Sequence, residues 1–182
     1  MDWYMKAANL GSANAQYQIG VMYNNGEGVP TSGSNAMKWF TKAATQSHTS
    51  AQHQMGLLYR DGTLDELDLE GGVFKNSTTA MAWFLKAANK GHKQSLYCIG
   101  CMYRDSLGVP QDFYQAMEWF QKAAAVPATG DNQGQGDQGI AEAAIGRLYM
   151  KGQGVFHDKS KALDWFSKAA EQGNVGAKES VA

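Results

Sequence analysis

"AMKWFTKAA" runs from Ala36 to Ala44, and close copies follow as "AMAWFLKAA" from Ala80, "AMEWFQKAA" from Ala116 and "ALDWFSKAA" from Ala162. A fifth, "MDWYMKAA", opens at Met1. In Met37, Trp39, Phe40, Ala43 and Ala44 the apolar residues fall three and four apart, which sets them on one face of a helix. The aromatic pair and the alanines are therefore expected to be core. A second block follows each first one: "AQYQIGVMY" from Ala15, "AQHQMGLLY" from Ala51, "SLYCIGCMY" from Ser95 and "AEAAIGRLY" from Ala141. It also has helical spacing. Its central glycine costs about 1 kcal/mol against alanine in a helix, so a close helix crossing is expected at that point.

The tryptophans at 3, 39, 83, 119 and 165 are 36, 44, 36 and 46 residues apart, and the blocks locate the two additions. From the second alanine of "KAA" to the glycine of the second block is 12 residues in three copies and 22 from Ala124 to Gly146. From the tyrosine of the second block to the next tryptophan is 16 residues in three copies and 24 from Tyr59 to Trp83. The joints "GEGVP" at Gly26, "GGVF" at Gly71, "LGVP" at Leu107 and "GQGVF" at Gly152 read as turns, where glycine allows a left-handed helix end and proline stops the helix. One helix pair cannot bury its apolar faces alone, so stacking of pairs makes the core.

These marks, "A-M-x-W-F-x-K-A-A" and then "A-x-x-x-I-G-x-M-Y-x-x-G-x-G-V-P", resemble the Sel-1-like repeat, a relative of the tetratricopeptide repeat with a longer, more variable period. The resemblance covers nearly the whole chain. It implies an all-α, right-handed α/α solenoid of stacked antiparallel helix pairs. The chain reads as one repeat domain, 1–182, with approximate copies 1–36, 37–80, 81–116, 117–162 and a partial copy 163–182. The first copy opens inside its helix and the last stops before its glycine and tyrosine, which reads as a segment of a longer protein.

Composition narrows the function. With 16 basic and 17 acidic residues the chain has no cationic stripe for a phosphate backbone, so no nucleic-acid partner is expected. No apolar run approaches the length of a membrane span, so no direct membrane insertion is expected. No disulfide framework or leader is visible, which favours the cytoplasm, with the endoplasmic reticulum lumen or secretion left open. Asn76-Ser77-Thr78 is an acceptor sequon for N-glycosylation in a loop-like segment.

The search for chemistry yields no catalytic residue, metal site or cofactor. His48, His53, His92 and His157 have no metal-ligand spacing and read as surface or loop residues, with His53 standing where Tyr17 and Tyr97 stand. Cys98 and Cys101 sit mid-helix rather than at the N-terminus that would lower a thiol pKa. They align with Gln18, Gln54 and Ala144, and with Val21, Leu57 and Arg147, so both are expected to be partly exposed. "DGTLDELDLEGG" from Asp61 (61–72) reads as a solvated acidic loop or a docking surface for a basic partner. "ATGDNQGQGDQG" (128–139) reads as a flexible loop.

The positions flanking the aromatic pair vary while their neighbours repeat: Asp2 and Met5, Lys38 and Thr41, Ala82 and Leu85, Glu118 and Gln121, Asp164 and Ser167. Each pair is three apart and shares one side of its helix. In the tetratricopeptide-like arrangement the resemblance implies, first helices line a concave groove, so these pairs would face a protein or peptide partner. A solvated face supported by Asp2–Lys6, Glu118–Lys122 and Asp164–Lys168 spacing is the alternative. Similar proteins act as adaptors in signalling complexes, in degradation from the endoplasmic reticulum, in chitin synthase activation and in bacterial contacts with hosts. The expectation is a non-catalytic interaction scaffold. A homo-oligomer formed through end repeats is the second reading, and a hydrolase of β-lactamase type, whose SxxK motif is absent, the third.

Overall fold

The computed structural model describes residues 1–62, 74–127 and 139–181, and most of both additions, 63–73 and 128–138, lies outside them. Each first block forms a helix: α1 (Asp2–Asn9), α3 (Gly33–Thr45), α5 (Ser77–Ala88), α7 (Phe113–Ala125) and α9 (Lys159–Glu171). The second blocks form α2 (Ala13–Asn25), α4 (Thr49–Asp61), α6 (Lys93–Asp105) and α8 (Ile140–Lys151), and α10 (Val175–Val181) begins a fifth. No strand occurs among the described residues. The architecture is an α/α solenoid of stacked helix pairs.

Side-chain caps, which were not assigned from the sequence, start these helices. Ser32, Asn76, Asp112 and Asp158 precede α3, α5, α7 and α9, and each accepts from the backbone N–H three residues on, at 3.3, 2.9, 3.0 and 3.0 Å. The asparagine of the sequon is thus a helix cap. α2 and α8 end on left-handed Gly26 and Gly152 (φ 74° and 62°), and Ser106 (φ 58°) takes the equivalent place after α6, its hydroxyl donating to the Val109 carbonyl at 3.2 Å.

The chain divides into two units, Met1–Lys90 and Gly91–Ala182. In the first, α1 to α5 each pack on their neighbours in sequence, around Ala8, Ala15 and Ile19 and then around Phe40, Ala43, Ala51, Met55 and Leu58. In the second, α6 to α10 do the same around Phe120, Ile145 and Leu148 and then around Ala143, Phe166, Ala169 and Ala177.

The aromatic pair does not share one role. Phe40, Phe84 and Phe120 are fully buried and Phe166 is 5% exposed. Trp39, Trp83, Trp119 and Trp165 are only half-buried, and Trp3 is 84% exposed. The expectation that both aromatics are core is corrected accordingly. The phenylalanines meet the mid-helix glycines of the preceding helices, where a Cβ on Gly20, Gly56, Gly100 or Gly146 would fall 2.5, 2.4, 2.5 or 2.8 Å from the ring. A close helix crossing was expected at those glycines, and the group that meets each of them is an aromatic ring of the next helix. The tryptophans lie further out. Trp39 and Trp83 pack on the edges of the clusters that precede them, and the lysines of "KAA" hold their ammoniums 4.1 and 3.9 Å from the ring centroids.

Candidate partner-binding surface

The varying positions keep some exposure while the phenylalanines among them are sealed in. Lys38, Ala82, Gln121 and Asp164 are exposed, and Thr41, Leu85, Glu118 and Ser167 are half-buried. Between them in sequence lie the phenylalanines. Thr41 leans toward the next helix, its hydroxyl 3.7 Å from the Met55 sulfur. Lys6, Lys122 and Lys168, assigned from spacing to acid–base pairs, hold their ammoniums 5.2, 4.3 and 4.2 Å from the Trp3, Trp119 and Trp165 centroids. First helices therefore present a variable surface on a constant frame.

Two histidines have roles that the sequence reading missed. His48 caps α4 and His92 caps α6, each accepting at Nδ1 from a backbone N–H, Ala51 at 3.2 Å and Ser95 at 3.3 Å. They stand where Ser12 caps α2, four residues after the second alanine of "KAA", and that alignment was the available signal. His92 is buried, and burial lowers its pKa to about 4. Burial, and then the Lys90 charge, lowers that of His48. Both are corrected from surface or loop residues to structural caps. His53 does take the tyrosine place, its ring 5.6 Å from Phe84 where Tyr17 lies 5.8 Å from Phe40 and Tyr97 5.4 Å from Phe120.

Cys98 is buried at 7% exposure, against the expectation, and Cys101 is half-buried. Both are reduced. Burial raises the pKa of the neighbouring Tyr97 to about 12. Asp61 is held well below the usual carboxylate range by Arg60, whose Nε lies 2.8 Å from Oδ1, while the rest of the acidic stretch, apart from Gly62, is outside the described residues. Among the described residues no group of three or more His, Cys, Asp or Glu is placed to hold a metal ion, and no helix is long and apolar enough to cross a membrane.

The described residues of the second unit include two depressions open to solvent. One, of about 700 Å³ at the α8–α9 turn, is lined by Tyr149, Phe156, His157, Asp158 and Lys161. Its charges satisfy each other, with Lys161 Nζ 3.4 Å from Asp158 Oδ2. The other, of about 370 Å³, includes Gln121 of the variable set, with Glu142, Trp165, Lys168, Glu171 and Gln172.

A stack of near-identical helix pairs with divergent outward positions defines a tandem helical repeat protein. The Sel1 repeat matches residues 1–12, 13–48, 49–92, 94–125 and 139–174, and the chain belongs to the Sel1 repeat family. Among solved structures it is similar to c5321, a protective antigen present in uropathogenic Escherichia coli strains and displaying an SLR fold, at 34% identity and a TM-score of 0.80, over 97% of this chain and 34% of that one. It is also similar to a Sel1 repeat protein from Oxalobacter formigenes, at 29% identity and a TM-score of 0.83, over 99% of this chain and 66% of that one. An immunity protein from Pseudomonas aeruginosa shares the fold, at 24% identity and a TM-score of 0.56, over 91% of this chain and 55% of that one. The chain thus spans about a third of the antigen and under two thirds of the Oxalobacter protein. Comparison with curated proteins gives no significant match. Sel1 repeat proteins generally bind proteins, and the family is typically non-catalytic.

Proposed function

We propose that this chain is a protein-interaction scaffold that holds a peptide or protein segment against the outward faces of its first helices and does no chemistry. Lys38, Thr41, Ala82 and Leu85 would serve this in the first unit, and Glu118, Gln121, Asp164 and Ser167 in the second. The observation that carries the reading is the contrast within one helix turn. Phe40 and Phe84 are fully buried in a repeated frame, while Lys38 and Ala82 are exposed, Thr41 and Leu85 are half-buried, and all four places differ from copy to copy. Several weak contacts add up to useful affinity when they engage together. Peptides selected against the chain from a displayed library supply the probe. A variant carrying K38E, L85S, E118K and Q121A together is expected to bind them at least tenfold more weakly and to melt within a few degrees of the parent. Undiminished binding by that variant would place the partner surface elsewhere.

The second reading is association between copies through α1. It is supported by Trp3 and Leu10, 84% and 89% exposed, whereas Trp39 packs on the preceding cluster. Sedimentation over a hundredfold concentration range separates the two, since a chain that stays monomeric throughout has no such association.

A further inference from the structure

One buried polar position differs between copies in its chemistry. Gln16 of α2 and Gln52 of α4 send their side-chain N–H groups back to the Ala8 and Ala44 carbonyls at 3.2 and 3.3 Å. In the first copy the Gln16 carbonyl oxygen also accepts from Gln46 Nε2 at 2.8 Å. Glu142 holds this place in α8 and is 3% exposed. Its Oε1 accepts from Gln172 Nε2 at 2.9 Å, repeating the Gln16–Gln46 contact. A carboxylate has no N–H to return to the chain. Its Oε2 is accordingly buried with no hydrogen-bond partner among the described residues.

Glu142 lines the cavity of about 370 Å³ shared with Gln121, Trp165, Lys168, Glu171 and Gln172. Among the described residues that line it are two carboxylates, Glu142 and Glu171, and one ammonium, Lys168. That ammonium already sits 4.2 Å from the Trp165 ring centroid, so a cation is held against this indole within the chain itself. Lys168 and Gln172 are both exposed and can swing aside. Ligand pockets run from roughly 300 to 1,000 Å³, and this one is at the lower end, suited to a single long side chain.

We propose that the cavity seats the guanidinium of an arginine side chain from an extended partner segment. The guanidinium donates to Glu142 Oε2 and lies against Trp165 in place of the Lys168 ammonium. Arginine fits better than lysine because its planar fork can give two parallel hydrogen bonds to a carboxylate while stacking on an aromatic face. The identity of the occupant as a partner's side chain rests on the scaffold reading, whose variable set includes Gln121.

N-acetyl-arginine amide is titrated into the full chain while the indole N–H resonances are followed by NMR, with that of Trp165 assigned from Trp165→Phe. A saturable shift of the Trp165 signal is expected, with none from the neutral isostere N-acetyl-citrulline amide. Glu142→Gln should weaken binding at least tenfold without lowering the melting temperature, since glutamine holds the same place in two copies. Lys168→Gln, which removes the internal competitor, should strengthen binding several-fold, an effect that a purely structural lysine would not have. The proposal is overturned by the absence of a saturable shift, by equal binding of citrulline amide, or by parental affinity in Glu142→Gln. Tighter binding of free arginine than of the capped amide overturns the assignment to a peptide side chain. The assay uses no selected peptide, so failure here leaves the variable surface standing, and failure of the quadruple variant leaves the cavity standing.

Discussion

The Phe84 ring occupies the space a side chain on Gly56 would need: a Cβ built on that glycine falls 2.4 Å from Cε1. The ring is fully buried there, while Trp83 beside it is half-buried and has the Lys86 ammonium 3.9 Å from its centroid. Adjacent residues of a helix point about 100° apart, so only one of the pair can fill the notch over the glycine.

Phe84→Ala is expected to cost about 3 to 5 kcal/mol, in the range for deleting a fully enclosed aromatic. Trp83→Ala should cost less, about 2 kcal/mol, because the indole packs on the edge of its cluster and stays partly exposed, whereas Phe84 is fully enclosed. Urea unfolding followed by circular dichroism compares them, and an indole deletion as costly as the phenylalanine deletion would contradict this division of labour.

Gly56→Ala gains roughly 1 kcal/mol of helix propensity but collides with a ring packed on all sides, for a net loss of about 1 to 2 kcal/mol. In a Phe84→Ala background the collision is gone, and the same change should be neutral or stabilising. A double-mutant cycle reads the coupling directly. Additive effects would mean that ring and glycine are not in contact.

The His92 cap makes stability depend on pH. The Nδ1 lone pair accepts from the Ser95 N–H, so the cap needs a neutral ring, and burial lowers the folded pKa to about 4 from 6.5. Unfolding then takes up a proton between those values. The stability is fully present above pH 6.5 and is lost as pH falls toward 4, at up to about 1.4 kcal/mol per pH unit. His92→Ser, which copies the Ser12 cap, should flatten melting temperature against pH between 7 and 4.5. An equally steep profile in that variant would assign the effect to other groups.

Lys86→Gln removes the ammonium above Trp83 without touching the core. A loss of about 0.5 to 1 kcal/mol is expected, as for an exposed cation–π contact. It should vanish in a Trp83→Leu background, and a loss of the same size there would mean the lysine acts through something other than the indole.

The period, the helix pairs, the glycine approach and the variable outward positions were all legible in the sequence. Each depends on which residues share a helix face, and at 3.6 residues per turn spacing alone decides that. His53 could be assigned the place of Tyr17 and Tyr97 for the same reason. Burial depth was not legible, because it depends on where the neighbouring helix stops. Trp39 and Phe40 look alike as apolar aromatics, and only the notch at Gly20 selects the phenylalanine. Cys98 aligns with Gln18 and Gln54 yet is sealed in, so alignment between copies carries a face but not an exposure. His92 reads as a loop histidine until the start of α6 places its lone pair over the Ser95 N–H. Glu142 carries no distinguishing mark within its own helix, and only tertiary packing, which in two other copies places a glutamine amide against a carbonyl, leaves its Oε2 without a hydrogen-bond partner among the described residues.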